Sequence, residues 1–276
     1  MDRIPVNGRH LAVEERGEGD AVLLLHPGSL ADGMQPLFDD GMFAVGRRLV
    51  RYHRRGYGLS DPAEAPVSVA DQAADALAVL DELGIDHADL VGHSFGANVA
   101  IELALSAPER VRSLALLEPL LLFALDPDTA RFVTQTAEVA YPRFEHGDRA
   151  DAVDAWLYGA FGRGYAQILE YALPGAFEQA VRDADAPFAI EVPSLQSWPR
   201  GPEDLRHIAV PTLSVVNDGA TWPGFRETHE ALLAWIPDAD GVVVAVGGHL
   251  LQIEEAAPIA TAVTEFIERC RRAAPA

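Results

Sequence analysis

Short, continuously apolar runs alternate along this chain with longer stretches of helical periodicity. Residues 21–25 are short and continuously apolar, and the mostly apolar runs 48–52, 111–117, 212–216 and 241–246, with the run leading into Ser94, are of similar length. Such runs fit strands buried on both faces. Between them, helical patterns cover residues near 32–45, 69–83, 225–235 and 258–272. The second has apolar residues at 73, 76, 77, 80 and 83, a capping serine at 68 and Gly84 beyond its end, the signature of a bounded amphipathic helix. Two extended pieces, 3–6 and 11–15, flank an Asn7-Gly8 turn. Strands alternating with helices predict an α/β protein with a mostly parallel central sheet flanked by helices on both faces.

Residues 119–206 break the rhythm. They contain helix-like segments and over half of the chain's Phe, Trp and Tyr residues, but no strand-like run. This predicts a helical insertion over the C-terminal edge of the sheet, dividing the chain into a core of 1–118 and 207–276 and an insertion of 119–206. Most of its aromatics are expected to form the insertion's own core, and a few to line a pocket beneath it.

Charge narrows the function. Forty-two acidic residues against 21 basic ones leave a net charge of −21, which argues against nucleic acid or an anionic membrane as partner. Every basic residue is Arg. Without lysine there is no Schiff base, no lysine-anchored pyridoxal phosphate and no Walker-type phosphate loop. A single cysteine, Cys270, excludes an intrachain disulfide and a cysteine-based metal site. With no apolar run of spanning length, a cytoplasmic location is expected.

The chemistry centres on Val91-Gly92-His93-Ser94-Phe95-Gly96. A strand running into Ser94 and a helix leaving it make a Gly-x-Ser-x-Gly turn, where only glycines let neighbouring backbone pass close by. The turn lifts the hydroxyl clear of the sheet and places a helix N-terminus beside it. Ser94 is therefore the candidate nucleophile. A serine needs a base, and His249, just past the last expected strand and after Gly247-Gly248, lies on the same sheet edge. His26, His53 and His93 also fall at or near strand ends but show no paired metal-ligand spacing, so no metal is expected. His10, His87, His146, His207 and His229 read as surface or capping residues.

Together these segments resemble the α/β-hydrolase fold family. Leu24-Leu25-His26-Pro27-Gly28 resembles its oxyanion-hole segment, and Arg55-Gly56-Tyr57-Gly58-Leu59-Ser60 its Arg-Gly-x-Gly-x-Ser stretch. Gly248-His249 with Glu254, Glu255 and Pro258 resembles its closing histidine segment. The insertion stands where these enzymes carry a cap. The family usually has His-Gly where this chain has His26-Pro27. Pro27 has no N–H to donate, so the implied oxyanion donors are the amides of Gly28 and Phe95, with Ser29 as a possible third.

The resemblance leaves two positions for the acid. One is Glu118, at the end of the strand after the elbow. The other is Asp218, one or two residues before the more usual place at Gly219 or Ala220. It implies a cofactor-free serine hydrolase acting on an ester, lactone or related acyl bond of a small to medium apolar molecule. Non-ester chemistry on the same site, as in a C–C hydrolase, perhydrolase or lyase, and a weakly catalytic ligand-binding protein are the alternatives. Apolar surface on the insertion could also support a homodimer.

Overall fold

In the computed structural model, which describes all residues except 65, 220, 221, 246 and 274–276, eight strands form one sheet. They are β1 (Asp2–Val6), β2 (Arg9–Arg16), β3 (Asp20–Leu25), β4 (Arg47–Tyr52), β5 (Ala88–His93), β6 (Val111–Leu117), β7 (Thr212–Asn217) and β8 (Ala239–Val244). Their order is β1-β2-β4-β3-β5-β6-β7-β8. The pairs β1/β2 and β2/β4 are antiparallel, and all others are parallel. Helices follow the strands: α1 (Gln35–Asp39), α2 (Val69–Glu82), α3 (Phe95–Ser106), α4 (Pro127–Glu145), α5 (Arg149–Phe161), α6 (Tyr165–Ala172), α7 (Ala176–Arg182), α8 (Val192–Gln196), α9 (Pro202–Leu205), α10 (Gly224–Trp235) and α11 (Ala256–Ala273).

The apolar residues of β3, β5 and β6 point to both faces of the sheet because each face has its own helical cover. Leu23, Leu25, Leu90, Leu114 and Leu116 pack with Ala76, Val79 and Leu80 of α2 and with α3. Their sequence neighbours Val22, Leu24, Val91, Ala115 and Leu117 point the other way, onto Leu37 and Phe38 of α1 and Ile259, Val263 and Phe266 of α11. The two-residue period of a strand thus feeds two cores at once.

Two expectations change. The helix expected over 32–45 shortens to α1, because Asp40 leaves helical geometry and its carboxylate accepts the N–H groups of Met42 and Phe43, a local competition typical of aspartate. The last strand runs over Ala239–Val244 and is the exposed edge of the sheet rather than a buried strand, with Val243 about half exposed; Val246, at the end of the expected run, lies outside the described residues.

Between β6 and β7 the described residues form helices only. Their core of Val153, Leu157, Phe188 and neighbours is completed by Leu30, Leu250 and Ile253 from the loops after β3 and β8. The insertion therefore sits on the C-terminal edge of the sheet. No helix among the described residues is long and apolar enough to cross a membrane.

Helix α2, which covers one face of the sheet, starts with a capping box. Ser68 Oγ accepts the Asp71 N–H at 3.0 Å, and the Asp71 carboxylate accepts the Ser68 N–H at 2.8 Å. Ser68→Ala should cost about 1 kcal/mol of stability, read as a lower urea midpoint with an unchanged m-value.

Candidate active site

The sheet turns its winding direction at β3. The chain goes from β3 to β4 on one side, and β5 pairs on the other, with Leu25 opposite Gly92. Open α/β sheets bind ligands at such a point, outside the carboxyl ends of the strands. Here it brings the loop after β3 against the turn after β5. That turn is tight. A Cβ on Gly92 would stand 2.6 Å from Ala97 Cα, and one on Gly96 would collide with the carbonyl oxygens of Leu25 and His26. Ser94 itself adopts φ 51°, ψ −121°, and its N–H donates to the Leu117 carbonyl at 2.9 Å. Ser29, Glu118 and Leu251 also have positive φ, so four strained residues stand on the loops of this one edge. Each costs on the order of 1–3 kcal/mol, and such strain gathers where structure serves a site.

The structure brings Ser94, His249 and Glu118 together. Ser94 Oγ lies 3.0 Å from His249 Nε2, and His249 Nδ1 lies 2.6 Å from Glu118 Oε2. The carboxylate can only accept from Nδ1–H, which leaves Nε2 free to accept from the serine hydroxyl. Glu118 is fully buried, yet both its oxygens are engaged, since Oε1 accepts the Asn217 backbone N–H at 2.9 Å and its side-chain amide. A buried carboxylate survives only with such partners. Asp218 stands apart. Its N–H donates to the Val244 carbonyl and its side chain is exposed. Ala220, part of the more usual acid position, lies outside the described residues.

Aromatic rings enclose the imidazole. Phe225 stacks on His249 with centroids 3.9 Å apart, Phe161 stacks at 5.4 Å, and His93 meets it edge-on at 4.8 Å. Sequence reading did not single out Phe225, because it appears there only as the first apolar residue of α10. Ser94, His249, Gly28 and Phe95 open onto one cavity of about 100 Å³, walled mainly by Leu120, Phe132, Trp156, Phe161, Trp222 and Phe225. Phe95 is the first residue of α3, so its N–H belongs to the helix's unsatisfied first turn. Gly28, whose amide is the other donor expected from the sequence, also lines the cavity. Ser29 Oγ is buried without a partner among the described residues, while its N–H donates to Tyr57 Oη at 3.0 Å.

One polar wall residue escaped the sequence reading. Glu191, from the π-helical turn Ala186–Glu191 that leads into α8, is buried at the cavity and ion-paired with the buried Arg54. Its signal was a lone carboxylate inside the apolar run Phe188-Ala189-Ile190-Glu191-Val192.

The fold agrees with comparisons to known proteins. The model of the alpha/beta hydrolase fold family matches residues 21–256. The chain belongs to the alpha/beta hydrolase fold family. Within it, the chain is 38% identical over 113 residues to a 2-hydroxymuconate semialdehyde hydrolase of Pseudomonas putida, a stretch covering 40% of each chain. It is 29% identical over 237 residues to that of Pseudomonas sp. strain CF600, covering 84% of this chain and 80% of the other. The chain covers only 30–41% of the length of several other curated relatives. Among solved structures, a thermophilic esterase from Thermogutta terrifontis superposes with TM-score 0.79 at 20% identity, covering 98% of this chain and 99% of that one.

Four further histidines of this α/β hydrolase are buried and hydrogen-bonded. His26 donates from Nδ1 to the Pro27 carbonyl at 2.7 Å and accepts the Arg54 N–H on Nε2 at 3.0 Å. His53 bonds Asp32 and accepts the Leu59 N–H. His93 accepts from the Gln252 side-chain amide at 2.9 Å. His229, expected as a surface or capping residue, is instead buried on the sheet-facing side of α10 and bonded to Ser214 Oγ of β7 at 2.8 Å, which satisfies the ring. Among the described residues, no group of three or more His, Cys, Asp or Glu side chains is placed to hold a metal ion.

Burial holds His26 and His93 neutral, with pKa values well below the ordinary 6.5. Arg54 adds to the effect at His26, and His249 adds to it at His93. Below pH 6.5 the unfolded chain takes up protons on these rings that the folded chain refuses. Stability should therefore fall with falling pH, by up to about 1.4 kcal/mol per unit for each ring, and level off above pH 7. The hydrogen bond from His53 pulls Asp32 down to about 2, so its contribution is lost only as pH falls from about 3.8 toward 2. Urea titrations between pH 5 and 8 should show the histidine slope, and His93→Gln should reduce it.

Proposed function

We propose that the chain is a cofactor-free serine hydrolase cleaving an ester, lactone or related acyl bond of a small apolar substrate, with the helical segment 119–206 as its cap. The observation that carries this reading is the buried hydrogen-bonded sequence from Ser94 Oγ through His249 to Glu118. Ser94 attacks the acyl carbon while His249 Nε2 takes the hydroxyl proton. Glu118 holds the tautomer and stabilises the imidazolium, and the faces of Phe225 and Phe161 favour that cation further. The Gly28 and Phe95 amides receive the oxyanion. His249 then protonates the leaving group and afterwards activates the water that releases the acyl chain from Ser94. The aromatic walls supply apolar binding surface and exclude water.

A second reading has support from relatives named as 2-hydroxymuconate semialdehyde hydrolases, whose named substrate carries no ester. On that reading the same serine and histidine would serve hydrolysis of a carbon–carbon bond.

Intact mass after fluorophosphonate treatment, beside p-nitrophenyl acetate and butyrate turnover, tests the proposal. One adduct on Ser94, lost together with turnover in Ser94→Ala and His249→Ala, is expected. Glu118→Gln should lower kcat by roughly 10³–10⁴, and Asp218→Asn should stay within about twofold of the parent. An adduct without ester turnover would favour the carbon–carbon reading. A folded protein with neither would contradict the assignment.

A further inference from the structure

Among the described residues, the largest fully buried side chain is that of Arg54, in the loop after β4. Burying a guanidinium costs several kcal/mol unless every partner is in place, and an apolar pair often does as well for stability. Its contacts say what it is there for. Nη1 donates to Glu191 Oε1 and to Gln72 Oε1 of α2, and Nη2 donates to the Pro27 carbonyl at 3.0 Å. The guanidinium carbon lies 4.8 Å from the centre of the Phe95 ring and 5.0 Å from that of Tyr57.

The Pro27 carbonyl and the Gly28 N–H are two ends of one planar peptide unit and point in opposite directions. Arg54 and the His26 Nδ1–H, at 2.7 Å, grip the carbonyl from one side. Gripping the carbonyl aims the amide. Arg54 thus touches both residues assigned as oxyanion donors, Gly28 through its peptide and Phe95 through its ring. Its own anchor, Glu191, comes from the helical insertion rather than from the sheet. Glu191 Oε2 also stands where a Cβ on Gly28 would fall, 2.6 Å away, so position 28 is closed to a side chain while the insertion is seated. A bare carboxylate so near a developing oxyanion would oppose it. The Arg54 charge offsets that field.

We propose that Arg54 and Glu191 are positioning residues that aim the Gly28 amide, so that the oxyanion hole is complete only when the insertion is docked on the core. The proposal rests on the serine-hydrolase reading. It makes the transition state, rather than ground-state binding, sensitive to the pair, and so predicts an effect on kcat with little effect on KM.

The test uses four variants of the full chain, with p-nitrophenyl butyrate as substrate and an alkyl trifluoromethyl ketone as oxyanion probe. Ser94 Oγ adds to the ketone carbon, its proton passes to His249, and the former carbonyl oxygen becomes the oxyanion held by the hole. Arg54→Met with Glu191→Leu removes both charges together, leaving neither buried alone. Arg54→Lys keeps a charge for Glu191 but has no fork to hold Glu191 and the Pro27 carbonyl at once. Both should lower kcat roughly 10- to 100-fold, weaken ketone inhibition by the same factor and leave KM within about threefold. Glu191→Gln, which keeps an oxygen for Arg54, should recover most of the kcat lost in Glu191→Leu. A folded double variant or Arg54→Lys with parental kcat and ketone affinity, or with its whole loss in KM, would overturn the positioning role alone. Absence of turnover and of a Ser94 adduct in the parent protein would overturn the hydrolase reading and this proposal together.

Discussion

Parallel pairing of β3 with β5 is the constraint from which the site follows. It sets the end of one strand beside the end of the other, so that the His26–Ser29 loop and the Ser94 turn share a wall. The contact is possible only because position 96 carries no side chain against the carbonyls of Leu25 and His26. Every later element answers to that edge. Glu118 directly follows β6, whose last residue Leu117 receives the Ser94 N–H, and β7 ends at Asn217, which binds Glu118 from the far side. The loop after β8 then delivers His249 between Glu118 and Ser94.

Polar groups at this edge are buried, and the surrounding structure is arranged to make that tolerable. Glu118 accepts three hydrogen bonds, one from His249 and two from Asn217, while Arg54 is shared among Glu191, Gln72 and Pro27. Strained backbone at Ser29, Ser94, Glu118 and Leu251 is held by the two apolar cores beneath. The aromatic wall around His249 keeps these interactions in a low-dielectric setting, where directed hydrogen bonds count for more.

Much of this was legible in the sequence, for a physical reason in each case. Central strands covered on both faces are rich in apolar residues at successive positions, so β3, β5, β6 and β7 were readable as short, mostly apolar runs. The elbow was legible because its sterics demand glycine at 92 and 96. The order of strands likewise put Ser94 and His249 on one edge. Less was readable where one residue type serves two ends. Asp40 ended α1 early through its own side chain, and the edge strand β8 reads in sequence like a buried one. Glu118 and Asp218 both stand after a strand, and only the three-dimensional register separates the buried carboxylate from the exposed one. The pairing of Arg54 with Glu191 was not readable because it joins segments far apart in the chain; a lone carboxylate in an apolar run was the one local sign of Glu191.

The most direct test of the account is a crystal structure of the protein after reaction with a small alkyl fluorophosphonate. The account predicts phosphorus bonded to Ser94 Oγ, with the phosphoryl oxygen about 2.7–3.1 Å from the amide nitrogens of both Gly28 and Phe95. Phosphorus on another residue, or a phosphoryl oxygen turned away from both amides, would contradict it.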